Sequence, residues 1–269
     1  MQLYTTVLLL LISFLSNAQM VMTDKEMKEK TDSILNEANL LYTYERSAWV
    51  STDMVMGKVS IKKDFGGYFV YQAGDTIKTI ILDTANKSCI YELSFINDFN
   101  LPKTENITRR SITSYEEKLL NTKNNILNEI VEKKYEVDCP KGFNLNMELL
   151  PAGNGYKLYI LTGTTQSQMI PFGNDYLFLA DTNGDIISWK KFHSRLIYTP
   201  TKGQDGESVT EIIHSHLITE PFISATDICT FMLYGSLYGQ MEFLVYSPAL
   251  SKYFKYKLSE NKIEILGKP

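Results

Sequence analysis

Beyond Cys139-Pro140-Lys141-Gly142 the chain has one stretch with helical spacing; most of the remainder is short runs of β character broken by turn residues. Gly155–Thr162 (GYKLYILT), Asp175–Asp181 (DYLFLAD), Asp185–Tyr198, a run ending in His214-Ser215-His216, Met241–Tyr246 and Lys252–Leu258 read as strands, and Ala225–Tyr234 as a helix. Runs this short cannot stand alone, so they must pair into sheets that bury alternate side chains. Asp181-Thr182-Asn183-Gly184-Asp185 has the oxygen-rich spacing of a calcium loop. Asn-Gly between two β-type runs is, however, foremost a hairpin signal.

The texture before the break differs. Asp24 to about Val50 carries Ile34, Leu35, Ala38, Leu41 and Tyr42 at helical spacing, and Thr113–Val131 carries Leu119, Leu120, Ile126 and Ile130, with Ser114 and Glu117 as a capping box. Between them lie Gly67–Gln72 and Thr76–Asp83, separated by Ala-Gly-Asp, and then Ser88–Phe95. Tyr42, Tyr44 and Trp49 could line a groove, although aromatic residues at helical spacing are more often core. The expected organisation is a signal segment at 1–18, an N-terminal α+β unit at 19–145 and a second, mixed-sheet unit at 146–269, with the boundary between about 138 and 150.

The signal segment rests on an apolar run, Val7–Leu15, followed by Ser16 and Ala18 at the small-residue positions before a cut that leaves Gln19 first. The run is far shorter than the ~20 residues a bilayer requires. Export to the periplasm or the extracellular space is the expectation, with no membrane span. A net charge of −4 and the lack of a basic, aromatic-interleaved stripe argue against nucleic acid as a partner. In an oxidising compartment Cys89 and Cys139 could pair, while Cys229 sits in a helical apolar pattern and reads as buried.

The chain has only three histidines, and two of them are His214 and His216. Strand side chains alternate faces, so both imidazoles point the same way together with Ile212, and Glu211 and Ser215 point the other way. Two such imidazoles can chelate one metal ion. Ser224 would cap the following helix, which puts Asp227 in its first turn, and the link 217–223 can fold that turn back over the strand. Two histidines and a carboxylate would leave a coordination position for water, the pattern of a catalytic zinc site. Ser224-x-x-Asp227 is equally a capping box that needs no metal. His193, in Lys190-Lys191-Phe192-His193, reads as an ordinary strand residue.

His-x-His, seven residues, then Ser-x-x-Asp resembles the signature of the JAMM (MPN+) metalloproteases. The order of helix, strand and strand after it is similar to that family, and Asp175–Ile187 is similar to the hairpin of its bacterial RadC-type branch. The resemblance covers roughly residues 155–260 and implies an α+β, cytidine-deaminase-like fold for the second unit. It implies His214, His216 and Asp227 as ligands of Zn2+, with Ser224 supporting the oxyanion. The family's general base is a glutamate at the start of the first hairpin strand, where this chain has Asp175, one methylene shorter. Leu217 stands where the family usually has proline, and the helix that normally precedes the His-x-His strand has no room in Thr199–Thr210.

Two functions follow as expectations. One is an exported zinc-dependent hydrolase of peptide or isopeptide bonds, a metallopeptidase acting on a peptide or protein substrate with Asp175 as base. The other is a non-catalytic relative, a binding or scaffold protein of the cell envelope.

Overall fold

The computed structural model describes residues 22–203 and 205–267; the expected signal segment lies outside them. The chain is α+β. Helix α1 (Asp24–Met56) opens with a capping box in which the Thr23 hydroxyl accepts from Glu26 N and the Glu26 carboxylate accepts from Thr23 N. It runs past the end expected near Val50. After the four-residue helix α2 (Val59–Lys62), β1 (Phe65–Ala73), β2 (Thr76–Asp83), β3 (Ser88–Phe95) and β4 (Thr104–Asn106) form an antiparallel sheet in that order, with β5 (Arg110–Ser111) also pairing with β3. Helix α3 (Ser114–Glu132) is capped by Thr113 and Glu116, one residue before the expected box.

The second half is built from β6 (Asn144–Ala152), β7 (Gly155–Gly163), β8 (Met169–Gly173), β9 (Tyr176–Ala180), β10 (Ile186–Lys191), β11 (Leu196–Pro200) and β12 (Ile213–Ser215). Helix α4 (Ala225–Tyr234), β13 (Glu242–Ser247), β14 (Lys252–Lys257) and β15 (Lys262–Gly267) complete it. They form three sheets: β10-β9-β7-β6, the pair β11-β8, and β12-β13-β14-β15, in which β12 is parallel to β13 and the other pairs are antiparallel. The Asn183-Gly184 turn does join β9 to β10, with Asp181 Oδ1 accepting from the amides of Asn183 and Asp185. The run expected as one strand over Asp185–Tyr198 is broken at 192–195, which separates β10 from β11.

The boundary expected at 138–150 runs from the link between α3 and β6 into β6 itself, and the hydrophobic core does not divide there. The main core joins Ala38, Leu41 and Val55 of α1 to Ile228 and Phe231 of α4, and to Phe243 and Phe254 of β13 and β14. A second core seats Leu119, Ile126 and Ile130 of α3 on Leu158 and Ile160 of β7 and Phe178 of β9, so a helix of the first half covers a sheet of the second. Each such side chain contributes roughly 1.5–3 kcal/mol on burial. The three cysteines are free: Cys89 is buried in the sheet of β1–β4, Cys229 is buried in α4, and Cys139 is exposed on the link, so the possible Cys89–Cys139 bridge is not formed.

A buried polar junction also crosses the boundary. Glu45 of α1 and Glu148 of β6 are almost wholly buried, and Asn146 of β6 donates to Glu45 Oε2 at 2.9 Å. Lys123 of α3 reaches in and donates to Met147 O at 2.6 Å. Burial raises both carboxyl groups above the ordinary carboxylate range; for Glu148 the charge of Glu45 adds to the rise, and Lys123 opposes it.

Two outcomes are expected. Trypsin acting on the exposed lysines of the α3–β6 link should leave fragments that co-elute on gel filtration, because α1 and α3 are packed into the other half. Release of a stable C-terminal fragment would show that the halves fold independently. Glu148→Gln should unfold at a higher temperature than the parent at alkaline pH, with the gap closing toward pH 4. An acid whose folded pKa is raised keeps its full stability contribution only below its unfolded value of ~4.3, and loses it as pH climbs through the folded value. A gap that did not change with pH would count against this account.

Candidate metal centre

His214 lies in β12, the edge strand of the four-stranded sheet β12-β13-β14-β15, and His216 follows directly after it. The strand is held in register by Leu244 N donating to Ile212 O and His216 N donating to Tyr246 O. Ile212, His214 and His216 face inward, and Ile213, Ser215 and Leu217 are exposed, as strand alternation requires. Asp227 sits in the first turn of α4 and is fully buried beneath them. The His214 ring packs against Phe172 and Phe243, with centroids 5.1 and 6.1 Å away.

The structure adds His193 to these three. The 192–195 break between β10 and β11 turns its ring inward, and one donor atom from each of His193, His214, His216 and Asp227 lies within 4.8 Å of the others. His216 Nε2 is 2.9 Å from His193 Nε2 and 3.3 Å from His214 Nε2. Asp227 Oδ1 is 3.3 Å from Nε2 of both His193 and His214, and Asp227 Oδ2 is 2.9 Å from Nε2 of His216. Metal–ligand bonds of 2.0–2.1 Å in a tetrahedron put donor atoms about 3.3 Å apart. The separations in this cluster are close to that edge.

The hydrogen bonds behind the rings fix which nitrogens are free. His193 Nδ1 is 2.8 Å from Asp175 Oδ1, and His216 Nδ1 is 3.2 Å from the Glu220 carbonyl oxygen. Both partners accept, so Nδ1 carries the proton in each neutral ring and Nε2 turns a lone pair inward. Two lone pairs at 2.9 Å repel unless a positive charge lies between them. A proton or a metal cation supplies it. Asp227 Oδ1 is buried and makes no hydrogen bond of good geometry, and His214 Nδ1 is likewise buried without a partner. Burial works to raise the Asp227 carboxyl, but the three imidazoles hold it well below the usual range. Burial lowers His193, and the carboxylates of Asp175 and Asp227 more than reverse this, to about 9. His214, with less compensation, is lowered by its burial. Such a cluster could hold a metal ion.

Ser224 and Asp227 form the capping box, and it does not compete with the cluster. Ser224 N and Oγ both donate to Asp227 Oδ2, and Asp227 N donates to Ser224 Oγ. One carboxylate oxygen closes the helix cap while the other faces His193 and His214. Asp175 stands one bond further out. Its Oδ1 accepts from His193 Nδ1, its Oδ2 accepts from Thr226 Oγ1, and Thr226 in turn contacts Ser224 Oγ at 2.8 Å. Asp175 is therefore brought to the site as the residue that orients His193, and Ser224 as the cap that orients Asp227.

The backbone at Asp175 explains how this is built. Gly173 and Asn174 both have positive φ, 75° and 51°, and turn β8 into β9. A Cβ on Gly173 would lie 2.4 Å from Arg195 O and 3.2 Å from His193 Cβ, so glycine alone lets the turn abut the His193 segment. His193 is the site residue that the sequence pattern does not reveal. The hairpin held the signal: with Tyr176 opposite Lys191, the next pair inward is Asp175 and Phe192, whose amide donates to Asp175 O, and His193 follows directly.

No protein-family model, no curated protein and no solved structure matches the chain.

Asp175→Asn should weaken metal binding about 10–100-fold in competition with a chelator, as is typical when the group orienting a ligand histidine is lost. The amide can offer His193 Nδ1 an N–H, which would favour moving the ring proton to Nε2. Unchanged affinity would remove the orienting role from Asp175.

Proposed function

We propose that this chain is a zinc-binding protein of the cell envelope in which the ion ties the 192–195 segment, β12 and α4 together, and that it is not a hydrolase. The observation that carries the reading is the convergence of four protein donors, three imidazole nitrogens and a carboxylate oxygen. Three of them match the ligand positions of the JAMM resemblance. The fourth, His193, stands where a catalytic site would keep a position for water. A full set of four protein ligands is the mark of a structural zinc site. Mixed imidazole and carboxylate donors near tetrahedral spacing suit zinc among the divalent ions. The commitment of Asp175 to His193 and Thr226 also favours the scaffold role, since a base must be free to take a proton. Export rests on the leader-like pattern at 1–18 and is part of the proposal.

One observation favours the hydrolase as second reading. His193, Arg195, His214 and His216 line a cleft of about 340 Å³ beside the cluster. When bound, zinc supplies Lewis-acid activation of an amide carbonyl. In that reading Arg195 would orient a substrate carboxylate, and Asp175 would have to release His193 to act as base.

Metal analysis of the purified protein is expected to give one zinc per chain. His193→Ala should retain zinc with markedly lower affinity, while His214→Ala and Asp227→Ala should abolish binding. Chelation should lower the unfolding temperature, and peptide and isopeptide substrates should remain uncleaved with zinc bound. Protein that neither carries nor takes up zinc would leave a proton-held histidine cluster in place of a metal site. Zinc-dependent cleavage would restore the hydrolase.

A further inference from the structure

Four consecutive residues, His214 to Leu217, line the cleft of about 340 Å³ beside the histidine cluster, although their side chains alternate between the inner and outer faces of the strand. Only a cleft that runs along the strand's edge touches both faces at once. β13 occupies one edge of β12, so the cleft follows the other. The hydrogen bonds agree. Leu244 N donates to Ile212 O and His216 N donates to Tyr246 O, which turns the backbone of residues 212, 214 and 216 toward β13. The N–H and C=O groups of Ile213 and Ser215 therefore point away from the sheet, and among the described residues no strand pairs with them. Ile213, Ser215 and Leu217 are exposed. Across the cleft stand Arg195 and Ile197. Among the described residues the arginines held in ion pairs are Arg109 and Arg110, and the exposed Arg195 is not one of them.

We propose that this open edge docks the C-terminal end of an extended peptide, which adds a strand beside β12 and sets its terminal carboxylate on Arg195. An edge that presents donors and acceptors in turn is complementary to another extended backbone, and such main-chain bonds supply affinity. A simple anion would use the guanidinium and leave the edge groups to water. Charge selects the end of a chain. No carboxylate lines the cleft, and an arginine fork meets a carboxylate with two parallel hydrogen bonds. β12 is three residues long, and the cleft lies at the small end of ligand pockets, which span ~300–1,000 Å³; both suit a chain terminus better than a long inserted strand. Exposed Ile213 and Leu217 stand beside the docked residues and favour β-branched apolar side chains there. The proposal gives the scaffold reading a partner and rests on that reading for the peptide's being held rather than cut; docking itself needs only the edge and the guanidinium.

The probe is fluorescein-labelled Val-Thr-Val-Val with a free C-terminal carboxylate, titrated with the purified protein and followed by anisotropy. Its controls are the C-terminal amide and two versions of the acid methylated on alternate peptide nitrogens, one in each register. The free acid is expected to bind saturably and the amide about tenfold more weakly, the loss of a hydrogen-bonded charge. Arg195→Ala should bind acid and amide alike, at the weaker affinity. Methylation should weaken binding far more in one register, the one whose N–H groups face β12, than in the other. Ser215→Pro removes an N–H that β13 does not use and should abolish binding, with zinc content read on the same sample. Should that variant fail to fold, the two methylated peptides decide the matter on the parent protein. Binding by protein that carries no zinc would uphold the docking site and remove the zinc reading; cleavage of the bound peptide, seen by mass spectrometry, would uphold the site and restore the hydrolase. The proposal is overturned by the absence of saturable binding of the free acid, by equal binding of its amide to the parent, by both methylated registers binding as the unmethylated peptide does, or by a folded Ser215→Pro that still binds. A dimer that Ser215→Pro disperses would give the edge to a second copy and overturn it as well.

Discussion

The carboxylate of Asp227 is the point on which the second half of the molecule turns. One oxygen is held by the amide and hydroxyl of Ser224 and starts α4; the other faces His193 and His214 in a dry interior. A helix N-terminus already favours negative charge, and three imidazoles add to that preference. The charge is thus stabilised from two sides, which is how it can be fully buried with one oxygen lacking a hydrogen bond. Ser224, Thr226, Asp175 and His193 continue from it as an unbroken chain of contacts, so the helix cap and the ligand geometry are one assembly.

Much of this was legible in the sequence, for local reasons. The alternation that puts His214 and His216 on one face depends only on strand period. The cap at Ser224 depends on four consecutive residues, and α4, β2 and β3 begin and end where their own patterns say. His193 was not legible in the same way, because its run of β-type residues gave no sign of the break at 192–195. Only the opposite strand of the hairpin carries that information. The edge strands β4, β5, β8 and β15 were not legible either, being short or lacking clear alternation.

The core runs across the expected two-unit division for a different reason. Composition changes at Cys139-Pro140-Lys141-Gly142, but burial is decided by what packs on what. The apolar faces of α1 and α3 are satisfied by elements more than a hundred and about thirty residues away respectively, α4 for the first and β7 for the second. The Glu45–Asn146 hydrogen bond is a polar instance of the same rule. Trp49 belongs here as well: helical spacing suggested core, and the ring instead stands half-buried at a cleft whose far side comes from the other half of the chain.

Gly173 carries a consequence that reaches beyond the turn it makes. It has no side chain and donates nothing to the cluster, yet any side chain there would meet Arg195 O at 2.4 Å and press on His193. Its positive φ adds backbone strain to that clash for every other residue. The mutational footprint of the centre is therefore wider than its donor atoms. Loss of the geometry that could hold an ion can arise from a change at a position that a survey of histidines and carboxylates would pass over, because geometry at this cluster is inherited from a gap between two backbones.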